Sequence, residues 1–184
     1  MDLFTAIDTR ASAGKLAAPA PTREHLERII DAGARAPDHG KLAPWRFVVL
    51  GEAARQQLGD IVAQGFLARE PGADEEQLQR ERNKAAGSPC IIAIATRVTN
   101  PQKIPECEQE HATAAAVQNM FLAAHALGYG VMWKTGGPAN NPQVKQLLGL
   151  EPADRIVALL HLGAAALPGA PRGAVHKDAV RWLD

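Results

Sequence analysis

The side chains best suited to chemistry gather in four short stretches, and all four offer charge and hydrogen bonding more readily than a nucleophile. The first, Arg35-Ala-Pro-Asp-His-Gly-Lys-Leu-Ala-Pro-Trp45, places Arg35, Asp38, His39 and Lys41 on one short link. Pro37 disfavours helix at Ala36 and Pro44 fixes a second bend, so these groups have little freedom and suit a flat, anionic ligand. The second, Arg10-Ala11-Ser12-Ala-Gly-Lys15, puts two cations and a hydroxyl within six residues. Guanidinium, hydroxyl and ammonium are the convergent, charge-assisted donors that a phosphate needs, although scattered surface charge produces the same pattern. The third, Glu106-Cys-Glu-Gln-Glu-His111, contains Glu108 and His111 as a Glu-x-x-His pair on one helix face, the unit of carboxylate-bridged di-metal sites. Such a site needs a second copy, and the sequence has none; acids at a helix N-terminus are the plainer reading. The fourth is Trp133-Lys134-Thr135, an aromatic beside a cation in a chain with only three tryptophans. Core filling is the default for Trp45, Trp133 and Trp182 alike.

Several function classes drop out. There is no G-x-x-x-x-G-K-[ST] loop, no G-x-G-x-x-G after a strand, no G-x-S-x-G elbow and no H-E-x-x-H. Gly128-Tyr-Gly130 follows a helix, not a strand, and so is no dinucleotide fingerprint. Twenty basic residues balance twenty acidic ones without a basic stripe, which argues against nucleic acid and membrane surfaces as partners. Cys90 and Cys107 have neither CxxC nor zinc spacing, and Cys90 reads as a small buried hydrophobe. His125, His161 and His176 are isolated. The N-terminus begins with an acid and not with a basic signal-like region. The long apolar stretch Ala112–Met132 is interrupted by Gln118, Asn119 and His125, too polar to span a bilayer. A cytoplasmic protein is the expectation.

The elements that must position these groups follow from periodicity. Helices are expected over residues 2–9, from Thr22 as N-cap through Gly33, over Glu52–Leu67 and over Glu106–Leu127, with Gly128 ending the last. Strands are expected at Phe47–Leu50, Cys90–Thr96, up to Thr135 and over Ile156–Leu162, and a further helix near Pro142–Leu148. Cys90–Thr96 is continuously apolar, as in a strand buried on both faces. The charged run Glu70–Asn83 reads as a mobile, exposed helix or lid. Ala112, Ala115, Ala116, Ala123 and Ala124 give the long helix a face of small side chains, open to a tight subunit contact or simply to good helix formation. With 184 residues, no repeat and no linker, the chain reads as a single domain over 1–184, an α+β fold or mixed α/β sandwich.

Taken in order, these stretches resemble the nitroreductase family, the FMN-dependent NAD(P)H oxidoreductases, and its short members most closely. Arg35–Trp45 is similar to the family's Ala-Pro-Ser…Asn…Gln-Pro-Trp segment, with His39 in place of a polar Ser or Asn. Arg10–Lys15 stands where the family carries Arg-Arg-Ser-x-Arg, with Ala11 replacing the second arginine and Lys15 a third. Gly128–Thr135 looks like the glycine-bracketed strand beside the flavin, and Ile156–Gly163 like the last core strand. The resemblance implies a nitroreductase-like sheet of few strands flanked by helices, and a homodimer with FMN at the subunit interface. Arg10, Ala11, Ser12 and Lys15, with Arg172 in support, would hold the phosphate side, and Trp133, Lys134 and Thr135 would run along the ring. Arg35 and His39 would approach from the other subunit. NAD(P)H would reduce FMN, leave, and be replaced by a nitroaromatic or quinone-like acceptor, with no obligatory catalytic side chain because the flavin carries the chemistry. An FMN carrier or sensor without efficient turnover is the alternative, and a metal-dependent enzyme using Glu108 and His111 a more distant one.

Overall fold

The computed structural model describes residues 1–99, 103–173 and 179–183. Helix α1 (Leu3–Thr9) opens behind an Asp2 cap, and α2 (Arg23–Ala34) starts where expected, with Thr22 accepting from the His25 N–H. Between them lies a strand that periodicity does not reveal, β1 (Lys15–Ala17). Next come β2 (Trp45–Leu50), α3 (Glu52–Arg69), α4 (Glu75–Ala86), β3 (Cys90–Thr96) and the long α5 (Glu106–Ala126). The chain then runs through β4 (Gly130–Lys134), α6 (Pro142–Leu147) and β5 (Arg155–Leu167). Gly128, at φ +86°, makes the left-handed turn that releases the chain from α5 into β4.

All strand pairs are antiparallel, so the fold is α+β. The order is β1-β5-β3-β2, with β4 also paired to β5. β5 runs five residues past its expected end at Leu162, because Ala164–Leu167 pairs with β1. Every residue of β3 is buried, as its unbroken apolar run demands. One sheet face sends Ile92, Ile94, Leu160 and Leu162 against Ile29 of α2 and Val117, Met120 and Phe121 of α5. The other sends Ile91, Ala93 and Leu159 against Leu58 of α3 and Val144 of α6.

Three expectations change. The alanines of α5 mostly pack inside the chain: Ala112, Ala116 and Ala124 are buried, and a Cβ on Gly33 of α2 would meet Met120 Cγ at 2.7 Å. Only Ala115 and Ala123 of that face stay half-exposed. The charged run 70–83 is largely helix α4, and it is tied down. An Asp74/Gln77 capping box starts it, Arg82 reaches Asp60 of α3 at 3.0 Å, and Ala85 is buried. Trp182 is not core: it is 86 % exposed in the segment beyond β5.

Candidate functional site

The phosphate-like segment and the aromatic strand lie side by side. Ala13 donates its N–H to the Val131 carbonyl (2.8 Å) and Gly14 to that of Leu167 (2.7 Å), which fastens residues 10–15 to β4 and β5. The half-buried Arg10 guanidinium sits 4.9 Å from the centroid of Phe121 on α5. Ser12 is exposed, Ala11 half-buried, and Lys15 opens β1 with its side chain in solvent. Gly169 rests against this segment so closely that a Cβ there would strike the Ser12 carbonyl oxygen. Arg172, exposed, is three residues further on, within about 10 Å of extended chain.

Along β4, Trp133 and Lys134 point to opposite faces, as neighbours in a strand must. Trp133 is 37 % exposed and donates its indole N–H to the Val157 carbonyl (3.0 Å). Lys134 turns toward α4 and donates to the Lys84 carbonyl (2.7 Å); burial holds its ammonium below the usual lysine value. Thr135 is exposed and shares a small cavity with Lys134, Lys84, Glu81 and His161. The sequence gives no hint of that cavity's floor. His161 is buried, 2.8 Å from Ser88 Oγ through Nδ1, and its Nε2 has no partner among the described residues. Its pKa is pushed down to about 3, first by burial and then by the Lys134 charge.

Arg35 and His39 lie elsewhere. Arg35 is the exposed C-cap of α2, and His39 opens a 3-10 turn, His39–Lys41. Asp38 pins the loop by accepting from the Ala43 N–H (2.9 Å), while Gly40, Lys41 and Ala43 all take positive φ. His39 Nδ1 lies 2.6 Å from Glu108 Oε2 at the start of α5, and His111 lines the same shallow groove. Among the described residues no group of three or more His, Cys, Asp or Glu side chains could hold a metal ion. The Glu108-x-x-His111 pair therefore gains a histidine partner but not a metal centre. His125 is 2.9 Å from Thr9 Oγ1, a link between α5 and α1; His176 lies outside the described residues.

The two groups of predicted residues thus stand against one helix, His39 at Glu108 and Arg10 at Phe121. Thirteen residues of helix, about 20 Å, separate them.

An antiparallel sheet sandwiched by helices, with a cationic N-terminal segment fastened beside a glycine-bracketed strand, defines a protein of the α+β class. Comparison with known proteins makes the class specific. The nitroreductase family model matches residues 7–164. A protein of Escherichia coli (strain K12), provisionally named the NAD(P)H nitroreductase YdjA, is 36% identical over 167 residues, 91% of this chain and 90% of that one. A Haemophilus influenzae protein with a similarly provisional name is 35% identical over 164 residues, 89% of this chain and 88% of that one. Among solved structures, a nitroreductase-like family protein from Bacillus cereus superposes with a TM-score of 0.81 at 26% identity, covering 100% of this chain and 97% of that one. A provisionally named nitroreductase from Desulfovibrio desulfuricans, solved in complex with FMN, superposes at 0.76 and 26% identity, covering 98% and 96%. The chain belongs to the nitroreductase family. Among the described residues no helix is long and apolar enough to cross a membrane.

Proposed function

We propose that this protein is an FMN-dependent oxidoreductase that passes electrons from NAD(P)H to nitroaromatic or quinone-like acceptors. The observation that carries the reading is the fastening of Arg10–Ser12 to the edge of β4 through Ala13 and Val131. It puts a fork-shaped cation and a hydroxyl next to the strand that carries the exposed Trp133 two residues beyond Val131, a donor set for a ligand with phosphate at one end and a flat ring at the other. That fits FMN. When bound, FMN supplies the redox chemistry, and the chain binds, orients and shields it. Arg10 and Ser12 hold the phosphate with Ala11 between them, and Lys15 and Arg172 add positive field from exposed positions. Trp133 and the β4 edge through Thr135 flank the ring. Lys134, bonded to the Lys84 carbonyl, fixes that edge against α4 and contributes its charge from behind.

The site is shared between two copies. One chain holds His39 and Arg10 about 20 Å apart along α5, so Arg35 and His39 serve the flavin of the partner. A two-fold pairing brings each copy's His39 end to the other's Arg10 end, the reciprocity that an isologous interface requires. Exposed apolar side chains supply the surface to bury: Leu3, Phe4 and Ile7 on α1, with Trp133 and Leu167. Such patches mark association sites. Reconstitution with FMN is expected to give a yellow homodimer that oxidises one equivalent of NAD(P)H per flavin alone and turns over continuously when a nitroaromatic or quinone is supplied. A flavin-loaded protein that sediments as a monomer would sink the shared site, and a loaded dimer without acceptor-dependent turnover would make it a carrier.

A further inference from the structure

The Glu108-x-x-His111 motif belongs to no metal-holding group among the described residues, yet Glu108 makes one of the shortest side-chain contacts between distant parts of the chain. Its Oε2 is 2.6 Å from His39 Nδ1, sixty-nine residues away in sequence. A carboxylate only accepts, so the imidazole carries its proton on Nδ1, and the tautomer of a histidine is set by the bond its other nitrogen makes. The backbone under His39 is fixed separately. Asp38 accepts from the Ala43 N–H, Lys41 and Ala43 hold left-handed φ of 55° and 45°, and Gly40 packs so tightly on Ile104 that a Cβ would strike it. What stays free is the ring's rotation and its tautomer, and Glu108 fixes both.

Stability is a poor reason for the pair. His39 and Glu108 side chains are 62% and 43% exposed, and exposed ion pairs contribute little to folding. A loop held in left-handed backbone at non-glycine positions is, by contrast, a common mark of a functional constraint. The neighbours do not compete for the ring: Asp38 is committed to Ala43, and His111 stands on the next turn of α5.

We propose that Glu108 is the positioning residue for His39, holding Nδ1–H so that Nε2 is presented outward to the FMN of a second copy. In the neutral ring this makes Nε2 an acceptor for an N–H or hydroxyl of the cofactor. The inference rests on the shared-site reading, and its test keeps the two apart. Nitrogen-15 NMR of the FMN-free protein is expected to show His39 in a single Nδ1–H tautomer, replaced by a mixture in Glu108→Ala. FMN titration is expected to weaken about tenfold in Glu108→Ala, the scale of an outer-shell partner. That loss should vanish in a His39→Ala background. Glu108→Gln, whose amide oxygen still accepts from Nδ1–H, should recover most of the affinity. An unchanged tautomer in Glu108→Ala, or an affinity loss that persists without His39, overturns the positioning role. Wild-type protein that does not bind FMN overturns the parent reading instead, while the NMR arm still separates a fixed imidazole from a free one.

Discussion

Gly163 of β5 and Ala17 of β1 approach so closely that a Cβ on the glycine would lie 2.7 Å from the Ala17 carbonyl oxygen, with Pro89 Cγ at 3.0 Å on another side. Neither neighbour is the free end of a flexible side chain. Gly163→Ala would gain at most about 1 kcal/mol of backbone entropy, against roughly 1–3 kcal/mol for overpacking. The clash wins. Since β1 anchors the segment carrying Arg10, the variant should melt lower and bind FMN more weakly, by calorimetry and by flavin titration. A variant as stable as wild type, with unchanged FMN affinity, would show that β1 can shift without disturbing the site.

Arg10→Ala should weaken FMN binding more than Lys15→Ala. A charge-assisted bond to phosphate contributes about 1.5–3 kcal/mol, roughly 10- to 150-fold in affinity. Arg10 is half-buried over Phe121 and so partly preorganised, whereas Lys15 is a point charge on an exposed strand end. Titration with riboflavin, which lacks the phosphate, is the control. Equal affinity of wild type for FMN and riboflavin would mean that no phosphate site exists on this segment.

Mixing two defective chains tests the shared site directly. In a dimer of an Arg10→Ala copy with a His39→Ala copy, one site collects both defects and the other collects none. Separately tagged chains purified as heterodimers should therefore regain one tight FMN site per dimer, although each homodimer has only weak ones. If both sites of the heterodimer remain weak, Arg10 and His39 serve the same chain's ligand and the interface reading fails.

Much of this was legible because it depends on local rules. Thr22 caps α2, Gly128 turns the chain out of α5, and β3 is buried on both faces, each following from residue type and spacing. What escaped depends on partners distant in sequence. β1 is too short for periodicity and exists because Ala164–Leu167 offers it an edge. The charged segment before Asn83 looked loose, but Asp60 of α3 waits for its Arg82. The alanines of α5 could serve an inner or an outer neighbour, and Gly33 of α2 decides for the inner one. The Glu108–His39 contact and the His161–Lys134 cavity needed the fold itself, since no spacing links residues so far apart.

His161 should make the protein acid-sensitive before its carboxylates do. In the fold its pKa is pushed down to about 3, below an ordinary 6.5, because burial and the Lys134 ammonium both oppose a charged ring. Between those two values the unfolded chain binds a proton that the native chain excludes. Stability is therefore complete above about pH 6.5 and falls as pH drops toward 3, by at most about 1.4 kcal/mol per unit. Glu81 and Lys84 share the cavity, so the group must be isolated by comparison. Replacing it together with its partner, His161→Leu with Ser88→Ala, removes the titrating ring without leaving the serine hydroxyl unpaired. Urea midpoints measured from pH 7.5 to 4.5 should fall steeply in wild type and more shallowly in the double variant, the two curves diverging below about pH 6.5. Parallel curves would show that His161 takes up its proton in the native state, and that its Nε2 is not sealed behind Lys134 and α4.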